Sequence, residues 1–401
     1  MRSNTAPGRR LSWPLVLGGL GWLVVVIVAV FQARATIAAP GVGLDLRPVR
    51  DAGLAVRSGH SIYDVPMFVY MPYTALVGVL LSLVSWHGAV VGYAYLEYAI
   101  LASAVFLMRG ALGRSRWTLL AAALIAAALL EGDLVVRDAR LENISVLMVL
   151  PCVGIVLCWG TGRWRWGAVI LAATLLIKPM LIALLVVPLL ARRWTATALT
   201  VAVTAVLCVL ALPLVPSVGA ALKIADRVLK GSNLTGAMSV YNLSLWGWGH
   251  THHTPTVVVV GGRLLVVVVA VACLAVVWRR EQPMTVATVG PLAGLLLGAT
   301  FLAGSLSENH YLLVLLPVAF TCLIATSVAS RLLVVGAVVL AAYSHHYTTI
   351  LGTSASAIQT RFVVIELLLF VASALALLGT HDAPGDGDSS ITRALDASTT
   401  P

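Results

Sequence analysis

Long uninterrupted apolar runs dominate the chain, and short polar stretches punctuate them. Residues 13–31, 89–108, 117–130, 144–159, 195–212, 263–278, 286–304, 311–328 and 362–378 read as continuous hydrophobic helices. Several meet the roughly 20 apolar residues needed to cross about 30 Å of hydrocarbon. They do not alternate over ten-residue segments, which argues against a transmembrane β-barrel. Two runs break the pattern. Residues 74–86 are too short for a comfortable crossing and read as a re-entrant or interfacial helix. Residues 167–191 are interrupted at Lys178-Pro179, where proline removes a helical donor, so two half-spans meeting near Lys178 are expected. A further short apolar run covers 332–342.

Arg2, Arg9 and Arg10 precede the first run, which is too long for a signal-peptide core and reads as a retained anchor. The positive-inside rule puts these arginines in the cytoplasm. The stretches 41–73, 131–143, 213–262 and 304–310 then fall outside. The arginine-rich turns near 109–116, 163–165, 192–193 and 279–280 fall inside. The expected organisation is one transmembrane domain over 1–380 and a disordered cytoplasmic tail, 381–401, rich in Asp, Gly, Ser and Thr.

Composition agrees with the pattern. The mean hydropathy is +0.98, and 60% of the 401 residues are hydrophobic against 10% charged, far from soluble averages. The net charge of +10 is spread over many loops without an aromatic-interleaved patch, which argues against nucleic acid as a partner. Cys152, Cys158, Cys208, Cys273 and Cys322 all lie in apolar runs without CxxC spacing and read as inert thiols.

Against so apolar a background, ionisable groups beside the spans are candidates for function. Residues 41–73 hold Asp45, Arg47, Arg50, Asp51, Arg57, His60, Tyr63 and Asp64. Further outer candidates are the stretch 131–143 with Asn143, then Lys178, Asn242 with Ser244, and Glu308-Asn309-His310. A carboxylate can serve as a general base, and a cation can hold an anionic leaving group such as phosphate. Simpler roles compete. Asp45 precedes Pro48 as a helix N-cap would, Lys178 could snorkel, and His310 could be an interfacial histidine. His250, His252 and His253 have no cysteine or carboxylate nearby to complete a zinc set and read as a solvated loop. Asn143, Asn233 and Asn242 begin glycosylation-type triplets that carry little weight. Trp246 and Trp248 read as interfacial aromatics.

In chain order, the segments LDLRPVRDAGLAVRSGHSIYD, FVYMPYTAL with Tyr70, LENISVLMVL, LLIKPMLIALLVVPLLARRW, MSVYNLSLWGW and SLSENHYLLVLLP resemble glycosyltransferase family 87. Met71 departs from the family's Tyr-Pro-Pro element, and Leu141-Glu142 stand where the family has Gly-Gln. The resemblance implies an all-α polytopic membrane protein, a GT-C type bundle of about 10–13 transmembrane helices with functional outer loops. It implies an inverting transferase in the plasma membrane with an extracytoplasmic site. Such an enzyme moves a mannosyl or arabinofuranosyl residue from a polyprenyl-phosphate donor to a glycolipid or polysaccharide acceptor, with no cofactor and no metal. Carried onto this sequence, Asp45 is the base, and His310 positions substrate or assists proton transfer. Arg47, Tyr63, Tyr70, Asn143, Lys178, Asn242 and Glu308 bind substrate. LDLRPV leans towards the arabinofuranosyltransferases and ENHY towards the mannosyltransferases, and family breadth gives a hexose the edge. The alternatives are a transporter or lipid-linked-sugar flippase, which would need ionisable groups through the membrane depth, and a noncatalytic assembly partner.

Overall fold

The structure, a computed structural model, describes residues 13–379 except 113–114, 116, 216, 218, 221, 223–241, 281–282, 306, 325–326 and 344–353. The expected tail 381–401, the N-terminal arginines and the Asn233 triplet lie outside the described residues.

Every element among the described residues is helical. Five helices are long and apolar enough to span a bilayer: α1 (Trp13–Ile37), α4 (Trp86–Met108), α12 (Thr256–Arg280), α13 (Val286–Ala303) and α16 (Ala355–Leu378). A sixth span is possible if α5 (Thr118–Glu131) and α6 (Asp133–Leu141), bent by 57° at Gly132, count as one. Shorter apolar helices fill the remainder. They are α7 (Val149–Gly160), α8 (Trp164–Leu175), α9 (Val186–Leu190), α10 (Trp194–Leu210), α14 (Asn309–Ala319) and α15 (Val328–Ala342), with α11 (Leu245–Thr251) beside them. The chain is an all-α polytopic membrane protein. Fewer helices qualify as spans than the apolar runs suggest, because the helical stretches Ile144–Gly160, Pro179–Leu190, Trp194–Leu210, Asn309–Ile324 and Val328–Ala342 are only 10–17 residues long.

α1 packs on α4 and α5, while α13 packs on α16 and α7. Most of α1 and α12 stays uncovered by protein, with leucines and valines exposed along their length. In lipid such side chains carry no hydrophobic penalty. α13 and α16, by contrast, are largely enclosed.

Two polar stretches read as outer loops are in fact helical. Residues 46–57 form α2 (Leu46–Arg57), which buries Leu46, Val49, Ala52 and Gly53; Arg47 is exposed, while Arg50 and Arg57 donate to the Val84 and Ser82 carbonyls at 3.0 and 2.8 Å. It lies on the short apolar α3 (Thr74–Leu81). The two approach so closely that a Cβ on Gly53 would sit 2.0 Å from the Gly78 carbonyl carbon. Residues 133–141 form α6, where Asp133 binds Arg137 one turn on and forms a short buried ion pair with Arg361 of α16. The loop before α3 is tied to α10 by the Tyr73 hydroxyl, which donates to the Leu207 carbonyl at 2.7 Å.

Candidate active site

Asp45 reaches the site through backbone pairing. After Gly41 and Gly43, both at positive φ, the amides of Gly43 and Asp45 donate to the carbonyls of Arg140 and Leu141 at 3.0 and 2.9 Å. This lays the start of α2 against the end of α6. Asp45 occupies the N-cap position of α2, but its side chain makes no capping bond. Its carboxylate instead accepts from Asn143 Nδ2 at 2.6 Å.

Asn143 is fixed on all sides. Its Oδ1 accepts from the amide and hydroxyl of Ser145 at 3.0 and 2.7 Å, and its carbonyl accepts from the Tyr93 hydroxyl at 2.8 Å. With Oδ1 committed to a backbone N–H, the amide nitrogen must face Asp45.

Lys178 enters from the break after α8. It is extended (φ −148°, ψ 120°), as a residue before proline prefers. Thr74, at the start of α3, donates to the Ile177 carbonyl at 2.8 Å and pins the break. Lys178 Nζ donates to Ser145 Oγ and lies 3.5 Å from Asn143 Oδ1 and 3.1 Å from His310 Nε2. The rings of Tyr311 and Tyr70 flank it at 4.8 and 5.8 Å.

His310, 1% exposed, is shared between two partners. Its Nε2 also lies 2.9 Å from Glu308 Oε2. One ring nitrogen cannot both donate and accept. A proton on Nε2 selects Glu308, and its absence selects Lys178, so the imidazole is a two-position node between anion and cation. Its Nδ1 faces Asp138 Oδ1 at 3.7 Å, and Asn309 Nδ2 donates to the same oxygen at 3.3 Å.

Burial opposes ionisation of Glu308, but His310 and Lys178 outweigh it and hold the carboxyl down at about 2. Glu142, by contrast, is pushed up to about 8 by burial. Burial, reinforced by Asp45 and Glu308, raises the Tyr70 hydroxyl well above its ordinary range, so it stays a neutral donor.

The expected site residues thus divide. Asp45, Asn143, Lys178, Glu308, His310 and Tyr70 converge. Arg47 lies on the exposed face of α2 and pairs with Asp51 at 3.9 Å. Tyr63 packs with Phe68 in a small cluster that also touches Tyr70. Asn242 shapes the loop carrying Glu308: its Nδ2 donates to the Ser305 carbonyl at 2.8 Å, and its Oδ1 accepts from the Ser307 amide at 3.0 Å. His250 lies within α11 and His252 caps it. His252 stacks on Trp248 and contacts Thr360 instead of lying in a solvated loop.

Sequence reasoning does not single out Asp138, Ser145 or Tyr311. Asp138 is hidden because 131–143 reads as a loop. The Asp133/Arg137 spacing, an i,i+4 helical pair, is the signal that would find α6.

Chemically, the site offers a half-buried carboxylate and an ammonium joined through one amide, with a histidine–carboxylate pair behind the ammonium. A hydroxyl at Asp45 can lose its proton while an oxyanion gathers charge beside Lys178.

The family model described as "Glycosyltransferase family 87" matches residues 68–306. This stretch includes Tyr70, Asn143, Lys178 and Asn242, while Asp45, Glu308 and His310 flank it. The chain is also similar to the alpha-(1->3)-arabinofuranosyltransferase of Mycobacterium tuberculosis, in strains CDC 1551 / Oshkosh and ATCC 25618 / H37Rv. Identity is 27% over 300 residues, covering 71% of this chain and 66% of each relative. The chain therefore spans about two thirds of the length of the curated relatives it matches. With more than half of its residues matched by the family model, the chain belongs to glycosyltransferase family 87 and is a membrane glycosyltransferase.

Proposed function

We propose that this glycosyltransferase moves an arabinofuranosyl residue from a polyprenyl-phosphate donor to a glycolipid or polysaccharide acceptor of the cell envelope, on the extracytoplasmic face of the plasma membrane. The observation that carries this reading is the hydrogen-bonded chain Asp45–Asn143–Ser145–Lys178–His310–Glu308, drawn from separate stretches of sequence.

The acceptor hydroxyl attacks the anomeric carbon while Asp45 takes its proton. The bond from that carbon to the phosphate oxygen breaks, and the phosphate monoester leaves beside Lys178, with inversion from the single displacement. No acid is needed, since a phosphate monoester is a competent leaving group. Glu308 and His310 balance the ammonium between turnovers, and the Tyr70 ring flanks it at 5.8 Å.

The curated relatives are named arabinofuranosyltransferases, which moves the sugar away from the hexose favoured by family breadth. The positive-inside pattern supports this sidedness. α1 begins beside the N-terminal arginines and delivers the chain to Asp45 at its far end. The test is transfer from labelled polyprenyl-phosphate arabinofuranose and polyprenyl-phosphate mannose to an arabinofuranoside acceptor in membranes containing the protein. Arabinofuranosyl transfer is expected; transfer of mannose alone would overturn the sugar assignment.

A further inference from the structure

Far from this site, three turns distant in sequence meet. α8 runs from Trp164 to Leu175, just before Lys178, so its 12 residues, about 18 Å of helix, separate the turn at 161–163 from the site. The turn before α10 and the end of α12 lie beside it. The Arg193 guanidinium sits 5.6 Å over the Trp164 ring, and Arg192 sits 5.0 Å over Trp278. These turns hold Arg163, Arg165, Arg192, Arg193, Arg279 and Arg280 against one carboxylate in sequence, Glu281. Arg163, Arg165, Arg193 and Arg279 are exposed, and none of the four forms an ion pair among the described residues.

Membrane topology requires cations on one side; it does not require them to converge from three turns or to rest on indole faces. Arg163 and Arg193 also occupy the N-cap positions of α8 and α10. There they face the positive ends of two helix dipoles, which is unfavourable unless an anion lies between them. Trp166 and Trp194, 68% and 60% exposed, add apolar rings of the kind that settle at the headgroup boundary.

We propose that this face binds the phosphate of an anionic phospholipid headgroup through Arg163, Arg165, Arg193 and Arg279, with Trp166 and Trp194 against the acyl boundary. The exposed indoles favour a lipid over free phosphate, and the inference does not rest on the catalytic reading.

The test uses the full chain in detergent micelles, with phosphatidylglycerol and phosphatidylcholine as probes and retained lipid read by native mass spectrometry. Phosphatidylglycerol should be retained preferentially. The double variant Arg163→Gln/Arg193→Gln, which leaves four of the six arginines to set topology, should lose about fivefold in retention per arginine. Equal retention of the two lipids, or undiminished phosphatidylglycerol in the double variant, would overturn the proposal. So would displacement by inorganic phosphate at equal concentration, which marks a free-anion site. Preference that emerges only on removing residues 380–401, with their four aspartates, would assign the face to the chain's own terminus instead.

Discussion

Replacing Lys178 with methionine removes the ammonium while keeping an unbranched stem of similar length. In the resting site Nζ is held by Ser145 and faces His310, so it is already placed when phosphate charge develops. Two unit charges about 4 Å apart at an effective dielectric of about 20 interact by about 4 kcal/mol. The site is half open, so part of that is screened, and two to three decades of rate remain attributable to the charge. Lys178→Met should therefore lower kcat/KM by about 10²–10³ at equal accumulation in membranes, in an assay of labelled-sugar transfer from the lipid-phosphate donor. Lys178→Arg should fall between, since a planar guanidinium restores charge without matching the ammonium's position against Ser145. Activity of Lys178→Met within about threefold of wild type would refute the assignment, because that change is too small for any direct charge contact.

Glu142 supplies a pH signature. Its folded-state value of about 8 lies above the ordinary carboxyl range, so the folded protein holds a proton that the unfolded chain has lost. The contribution of Glu142 to stability should be fully present below the ordinary value of 4.5 and be lost as pH rises towards 8. Thermal unfolding in detergent across that window should show the slope, and Glu142→Gln should flatten it; an unchanged slope would contradict the assignment. Gly78→Ala would place a Cβ 1.9 Å from the Val49 carbonyl oxygen. It should lower stability by about 1–3 kcal/mol and reduce transfer by shifting α2, and with it Asp45; a melting temperature equal to wild type would refute the packing.

What the sequence reveals follows from contrast. Asp45, Asn143, Lys178, Glu308 and His310 are legible as polar groups in an apolar chain, and all five converge. The Lys178-Pro179 break is legible too, because proline leaves few local conformations. Asn242 has the same contrast but shapes the loop of Glu308 instead of facing Lys178, and only the fold separates those roles. Asp138 is obscured because α6 is polar enough to pass for a loop, although tertiary contacts with Asn309, His310 and α16 make it a buried helix. Several apolar runs close before a full crossing, with 17 residues in α10 and 15 in α15, which is why apolar runs outnumber full-length spans.

The central claim is that Asp45 takes the acceptor's proton. The most direct measurement compares wild type with Asp45→Asn in labelled-sugar transfer, at matched protein levels and with donor binding measured separately. Asparagine keeps the size and can still hydrogen-bond Asn143, so the account predicts normal donor binding with transfer lowered by about 10²–10⁴. Transfer at the wild-type rate in Asp45→Asn would contradict it and move the base elsewhere in the cluster.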